Sequence, residues 1–283
     1  MANDVQELLK SINDINQITN EKWLNNLADR KLKELEFHNL NRDPERLDQE
    51  ESSDTYEKFY GNKKYYTTTE RSFTYVDNWI KQSVKDKVFL DFACGNGARA
   101  IQAAECGAKL SIGLDISDIS VKNAENTAQE KGIDNIVFLQ SDCEDTKLPD
   151  SSVDIVICSG MLHHLDLSHV FPELRRILSP GGKILAVEAL DYNPFIKLYR
   201  LLTPDMRTEW EKAHILDLSD VKFARRFFDV KEVKHWHITS YAGAHFPRML
   251  PILNFIDKIL EKIPLLKLMS WIFTFEMHSD KKI

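Results

Sequence analysis

The sequence predicts an α/β fold with a mostly parallel sheet and helices on both faces, and three observations carry that prediction. From residue 72 onward, short apolar runs alternate with helix-length amphipathic segments, as expected where helices connect parallel strands. The run Val88-Phe89-Leu90-Asp91-Phe92 leads straight into a turn carrying Gly95 and Gly97, and the turn enters a helix. Asp115 follows roughly twenty residues later, at the end of the next apolar run, where an acidic side chain meets ribose hydroxyls in nucleotide-binding folds.

The elements follow in order. Residues 3–41 are helix-forming and charged, with Trp23, Leu24, Leu27, Leu32, Leu35 and Phe37 at helical spacing, which predicts two helices with one apolar face each. From residue 41 to about 70 the chain turns polar and carries Tyr56, Tyr60, Tyr65 and Tyr66; this loop-rich entry is a candidate lid. Residues 1–70 therefore form a helical N-terminal cap and residues 71–283 the main domain. Strands are expected over 88–92, 110–115, 136–140, 153–159 and 183–189. A helix follows the glycine turn to about residue 105. A second spans 117–131, opened by Ser117 and Asp118 and closed by Gly132. A third covers 168–178 and is stopped by Ser-Pro-Gly-Gly at 179–182. Residues 219–228 read as helix and 230–239 as strand. The alternation Trp271, Phe273, Phe275, Met277 predicts a final strand.

With 43% apolar and 10% aromatic residues in 283, the chain has ample material for a core. Its formal net charge of −7 argues against nucleic acid as a partner, since phosphate contacts need a concentrated positive surface. Cys94, Cys106, Cys143 and Cys158 lack metal-ligand spacing and read as reduced thiols of a cytoplasmic protein. The first residues carry neither a basic nor an apolar signal region, and no run of 18 uncharged apolar residues occurs. The nearest approach, 249–275, is interrupted by Lys258, Glu261, Lys262, Lys267, Pro251 and Pro264. It reads as a helix packed into the core, with a lipid-covering or membrane-surface role as the variant.

Gly95-x-Gly97-x-x-Ala100 formally satisfies the dinucleotide fingerprint, and glycines here leave backbone N–H groups and a helix N-terminus facing a cavity. The features that separate the possible ligands lie elsewhere. A carboxylate at Asp91 repels a pyrophosphate but attracts the ammonium of an amino-acid-bearing nucleoside. Asp142 follows the third strand, and Asp154-Ile-Val-Ile-Cys-Ser-Gly-Met-Leu-His-His-Leu runs through the fourth.

With these motifs the chain resembles a class I S-adenosylmethionine-dependent methyltransferase, type 11-like, of the broad group that includes the ubiquinone and menaquinone methyltransferases. The matching segments are Leu-Asp-Phe-Ala-Cys-Gly-Asn-Gly (90–97), Gly-Leu-Asp-Ile-Ser (113–117), Ser-Asp-Cys-Glu-Asp-Thr-Lys-Leu-Pro (141–149), Val-Asp-Ile-Val-Ile-Cys-Ser-Gly-Met-Leu-His-His-Leu (153–165) and Leu-Arg-Arg-Ile-Leu-Ser-Pro-Gly-Gly-Lys (174–183). The resemblance implies a Rossmann-like, seven-stranded sheet whose last strand is antiparallel. It implies that Asp91 and the backbone of Ala93, Cys94, Gly95 and Gly97 hold the methionine portion of the cofactor. Asp115 would bind the ribose, Ile116 would pack on the adenine, Asp142 would meet the adenine amino group beside Cys143, and Ser159, Gly160 and Leu162 would line the floor near the sulfonium. Plain strand-end capping is the competing role for Asp91 and Asp115.

The expected activity is direct in-line methyl transfer from S-adenosylmethionine, giving S-adenosylhomocysteine, to oxygen, nitrogen or sulfur of a small molecule, one that is apolar or lipid-like in a variant of this reading. Insertions at about 191–216 and 241–269 are expected to build the acceptor pocket. His163, His164, His237 and His245 are the candidate bases; Glu188 or Asp191 is placed to orient a hydroxyl or an amine. No metal is expected, because no carboxylate or histidine cluster with ligand spacing accompanies the histidine pair. A catalytically silent cofactor-binding module and an NAD-dependent oxidoreductase are the alternatives.

Overall fold

The computed structural model describes residues 2–18, 23–43 and 63–280. Seven strands form one sheet in the order β3-β2-β1-β4-β5-β7-β6. They are β1 (Val88–Phe92), β2 (Leu110–Asp115), β3 (Ile136–Gln140), β4 (Val153–Ser159), β5 (Leu178–Ala189), β6 (Asp229–Trp236) and β7 (Ile272–His278). The first five run parallel, and β7 lies antiparallel to both β5 and β6, so six strands share a direction and the last opposes them.

β1 is buried along its whole length because both of its faces are covered, and its side chains alternate between two cores. Val88, Leu90 and Phe92 enter the larger cluster, while Phe89 joins the opposite one. The larger cluster receives Leu8, Ile12 and Ile15 of α1 (Ala2–Asn16), so this N-terminal helix packs onto the main core. The opposite face is covered by Val76, Trp79 and Ile80 of the Glu70–Ser83 helix. Between α1 and that helix lie α2 (Asp29–Arg42) and the one-turn α3 (Lys63–Tyr66), which makes the Glu70–Ser83 helix α4. Of the apolar positions marked in 23–37, Leu35 alone is buried; the others are partly exposed along or before α2. Tyr65 and Tyr66 lie in α3, whereas Tyr56 and Tyr60 fall outside the described residues.

The helices after the strand ends follow their local signals. α5 (Ala98–Glu105) starts at Gly97, whose φ of +78° a side chain adopts only with strain. α6 (Asp118–Glu130) is capped by Ser117, whose hydroxyl accepts from the Ser120 N–H, and it is followed by Gly132 at φ +64°. α7 (Leu167–Ile177) is capped by Asp166, one residue earlier than expected.

Two strand boundaries differ from the sequence expectation. β5 begins at Leu178, because Leu178 pairs with Val153 and a register shift between Val153 and Ile155 takes the Ser-Pro-Gly-Gly segment into the strand. β6 stops at Trp236 because His237 has φ +65°, which breaks the ladder. Beyond β5 come α8 (Pro194–Leu202), α9 (Glu209–Ala213), α10 (Leu218–Ala224) and α11 (Leu250–Leu260). The expectation that 249–275 packs into the core is corrected for α11, where Ile252, Phe255 and Ile259 are more than half exposed at 59%, 65% and 51%. Among the described residues, no helix is long and apolar enough to cross a membrane.

Gly113 in β2 lies beneath the ring of Phe138, and a Cβ there would stand 2.3 Å from Phe138 Cδ1. Gly113→Ala is therefore expected to lower unfolding free energy by about 1–3 kcal/mol, the cost of overpacking a closed core. Denaturant titration checks this; a midpoint equal to the parent's would show that Phe138 yields freely.

Candidate functional site

The β1 turn is built from three consecutive constraints. Ala93 has φ +60° and Gly95 φ +54°, so the chain leaves the strand through two left-handed residues. The Cys94 N–H then donates to the Leu114 carbonyl at 2.8 Å, tying the turn to β2. Asp115 completes the tie: its Oδ2 accepts from the Gly95 N–H at 2.7 Å and its Oδ1 from the Ser117 N–H at 2.9 Å. Asp91, 3% exposed, accepts from the Ala100 N–H at 3.1 Å and so caps the first turn of α5. Burial pushes its carboxyl up to about 7, against the pull of the Ala100 N–H and the Arg99 charge. Strand-end capping is therefore present at both aspartates.

A cavity of about 90 Å³ opens beside this turn, lined by Ala93, Asp115, Ile116, Asp142, Cys143, Ser159 and Gly160. Seven of the twelve positions assigned to the cofactor thus meet at one place. Asp91, Cys94, Gly95, Gly97 and Leu162 do not line it: Asp91 lies under the turn, Leu162 is fully buried in the core, and Arg42 covers Gly95.

The opposite wall is α2, which sequence reasoning did not connect with the site. Arg42 Nη1 lies 3.3 Å from Asp115 Oδ2 and donates to Ser120 Oγ at 2.7 Å. Lys31 pairs with Asp142, and with Glu144 at 2.9 Å; Arg30 pairs with Glu144. Burial lowers the Lys31 ammonium, but the two carboxylates outweigh it and hold the group above the ordinary lysine range. Glu144 also feels burial first, which its three donors, the Asp166 N–H, Lys31 and Arg30, outweigh. The carboxylates at the ends of β2 and β3 are thus occupied by cations of one helix.

A second cavity, of about 360 Å³, lies past the C-terminal ends of β4 and β5. Its wall is mostly apolar and aromatic, with Tyr65, Phe195, Tyr199, Tyr241 and Trp271, and its charged groups are Arg200, Arg207 and Glu211. Arg200 binds Asp191 at 3.0 Å and Arg207 Nε lies 3.4 Å from Glu211. Burial raises the Glu211 carboxyl and lowers the Arg200 guanidinium.

His163 lines this second cavity and His164 the first, so the pair forms the partition between them. His163 Nδ1 is 2.7 Å from Glu188 Oε2, and the other Glu188 oxygen accepts from the N–H groups of Met161 and Leu162 at 2.9 and 2.8 Å. Glu188 is 1% exposed, and its three partners fix the loop after β4. His163 Nε2 faces Glu211 at 3.8 Å. His164 Nδ1 lies 3.0 Å from Glu34. Burial, with the charges of His164 and Arg42, holds His38 well below the usual histidine range.

The statement that no carboxylate or histidine cluster accompanies the pair is corrected. Glu34, His38 and His164, and again His163, His164 and Glu211, bring possible ligand atoms within 4.8 Å of one another. Sequence spacing hid them because the members come from α2, the β4 loop and α9. Of the other candidate bases, His245 lines the cavity with its Nε2 3.1 Å from the Tyr65 hydroxyl. His237 is fully buried with both ring nitrogens 2.9 Å from serine hydroxyls, those of Ser240 and Ser72, and burial lowers it to about 4.

A family model described as a methyltransferase domain matches residues 83–228 of this chain. The chain is 36% identical over 97 residues to the 27-O-demethylrifamycin SV methyltransferase of Amycolatopsis mediterranei (strain S699), a match covering 34% of this chain and 36% of that protein. It is 30% identical over 146 residues to protein arginine N-methyltransferase 1 of Schizosaccharomyces pombe, covering 49% of this chain and 42% of that one. The chain thus spans less than half the length of these curated relatives. Among solved structures, the geranyl diphosphate C-methyltransferase of Streptomyces coelicolor A3(2) shares the fold, with a TM-score of 0.54 at 14% identity over 74% of this chain and 81% of that one.

Arg42 and Lys31 occupy the carboxylates that the resemblance gives to the nucleoside, so removing one cation should ease ligand entry. Arg42→Ala is expected to tighten S-adenosylhomocysteine binding about two- to fivefold, the scale of a partly exposed ion pair. Calorimetric titration reads this; weakened binding would mean that Arg42 grips the ligand.

Proposed function

This chain belongs to the S-adenosylmethionine-dependent methyltransferase family, and from that premise we propose that it methylates a hydroxyl of a small amphiphilic molecule held in the larger cavity. The observation that carries the proposal is the Glu188–His163 pair in the partition between the two cavities, with His163 on the acceptor side. The NAD-dependent alternative has no place in this family.

The residues present fit the cofactor by the chemistry of their groups. Asp115 and Asp142 offer carboxylate oxygens to hydroxyls and an amino group, Ile116 an apolar face, and Gly160 a floor beside which a Cβ would meet open space. When bound, S-adenosylmethionine supplies a methyl carbon already activated for in-line displacement by its sulfonium. The chain supplies alignment and exclusion of water, which a histidine partition between two cavities supports. Glu188 keeps the proton on His163 Nδ1, so that the Nε2 lone pair is free to take the proton of an acceptor hydroxyl. The cavity of about 90 Å³ is far below the roughly 300 Å³ at which small-molecule pockets begin, so α2 shifts, or Lys31 and Arg42 swing out, when the nucleoside enters. Among the described residues of the N-terminal segment, α2 acts in this reading as a cap over the donor site.

The acceptor class follows from the lining. An aromatic and apolar wall with its charges gathered at Arg200, Arg207 and Glu211 suits a molecule with an apolar body and one polar end. The segments 191–216 and 241–269 supply most of that wall. Names of similar proteins are compatible with such an acceptor: one acts on a demethylrifamycin oxygen and another binds geranyl diphosphate. Four free cysteines support a cytoplasmic setting, and a formal charge of −7 supports an acceptor other than nucleic acid.

Two tests follow. Asp91 titrates near 7 in the free protein, and a ligand ammonium favours its ionised form. S-adenosylhomocysteine binding should then release a proton below that value, and affinity should rise from about pH 6 to about pH 8. Calorimetry in buffers of different ionisation heat checks the sign, and Asp91→Asn should flatten the profile; a parent profile already flat would remove Asp91 from the methionine site. Glu188→Gln turns an amide N–H toward His163 Nδ1, which then accepts and leaves Nε2 protonated. Transfer of labelled methyl into acceptors of a metabolite extract should fall by about 10²–10⁴, with S-adenosylhomocysteine binding unchanged. Full transfer in this variant would refute His163 as base, and cofactor binding with no transfer by the parent in any extract would favour the silent module.

A further inference from the structure

Helix α11 is amphipathic with its faces reversed. Its inward side is anchored by polar groups: Asp257, fully buried, accepts from the Thr239 N–H and hydroxyl, each at 2.7 Å, and from the Ser240 N–H at 3.0 Å. Just past its end, Glu261 accepts two bonds from Arg71, at 2.9 and 2.7 Å, and one from the His237 N–H at 3.0 Å. The outward side carries Ile252, Phe255, Ile256 and Ile259, at the spacing of one helical face, and Ile263 and Leu265 continue it. Across the cavity mouth, α8 exposes Phe195, Leu198, Leu201 and Leu202, the last two more than 70% accessible at 77% and 73%.

The two helices belong to one rim. Phe195, Ile196 and Tyr199 of α8 line the larger cavity, and so do Tyr241 and His245 of the segment on which α11 packs. Tyr65 bridges the sides, its ring 5.5 Å from that of Tyr199 and its hydroxyl 3.1 Å from His245. Charge completes the pattern. On 193–202 and 246–269 every exposed charged side chain is basic, namely Lys197, Arg248, Lys258 and Lys262, while the acids Asp257 and Glu261 turn inward. Such a rim on a chain of net charge −7 is a local reversal of sign. Two uncovered apolar helix faces edged by cations match the chemistry of the acyl–headgroup boundary of an anionic bilayer.

We propose that α8 and α11 seat this protein on an anionic lipid surface, with the mouth of the acceptor cavity facing the headgroup layer. The apolar side chains enter the boundary, and Arg248, Lys258 and Lys262 pair with lipid phosphates, whereas Lys197 is held by Asp191 at 2.9 Å. This deepens the acceptor reading above, on which it rests for the cavity's role: an amphiphilic acceptor then enters from the lipid layer without crossing water.

The test is flotation of the full chain with phosphatidylcholine vesicles containing phosphatidylglycerol, and with pure phosphatidylcholine vesicles for comparison. Binding to the anionic vesicles is expected, weaker on the neutral ones. The double variant Phe255→Glu, Ile259→Glu should reduce partitioning at least roughly tenfold, and Lys258→Glu, Lys262→Glu should erase the preference for anionic lipid. S-adenosylhomocysteine binding, measured on each variant, should stay at the parent's level and reports an intact fold. Absence of parent binding to anionic vesicles, or equal partitioning by parent and apolar variant, would overturn the proposal. So would a parent dimer in sedimentation velocity that the apolar variant dissolves, since a second copy would then cover the face. Vesicle binding without S-adenosylhomocysteine binding would instead sink the cofactor reading and leave the docking intact.

Discussion

The carboxylate of Asp115 is the constraint on which the site depends. It closes β2, accepts the Gly95 N–H of the neighbouring turn and the Ser117 N–H that opens α6, and faces Arg42 from α2. One buried side chain thereby holds two strand ends, one helix start and one covering helix in register. Three partners around a group 3% exposed explain why the turn keeps both Ala93 and Gly95 left-handed. A backbone strained in this way persists only while its surroundings fix it.

The same arrangement links stability to function through charge. Buried carboxylates are costly alone, and here the cations of α2 compensate those that border the smaller cavity. In the proposed exchange, a nucleoside offering hydroxyls and an amino group would replace those partners with others of similar kind, conserving hydrogen bonds while α2 or its side chains move. On the far side, Glu188 plays the corresponding part for the β4 loop, binding two backbone N–H groups and one histidine. The two cavities thus each rest on one buried acid at a strand end, and the His163–His164 pair separates them.

The sheet was largely legible because its signals are local. Four of the first five strands run over the expected residues, since each apolar run is bounded by turn residues and, except in the edge strand β3, largely buried. The β5 start was not, because the pairing of Leu178 with Val153 that draws 179–182 into the strand is nonlocal. The same division holds at the site. Asp115, Asp142 and the β4 residues follow strand ends and could be read in order, but the lysine and arginines of α2 are ordinary solvated charges until the helix is laid across them. Glu188 was singled out as an orienting group, while its partner became definite only when β4 and β5 lay side by side. The outward face of α11 stayed only a variant of the sequence reading, because an apolar helix reads alike whether it turns toward a core or away from one.

The central claim is that Asp115 and Asp142 exchange the cations of α2 for a nucleoside. Its most direct test is calorimetric titration of S-adenosylhomocysteine into the parent and into the Asp115→Ala, Asp142→Ala variant, with folding of both verified by thermal melting. Saturable one-site binding to the parent, weakened at least about tenfold in the variant by the loss of hydrogen bonds to two charged acceptors, is the predicted result. Equal affinity in the two proteins would contradict the account, because the ligand would then be held somewhere other than at these strand ends.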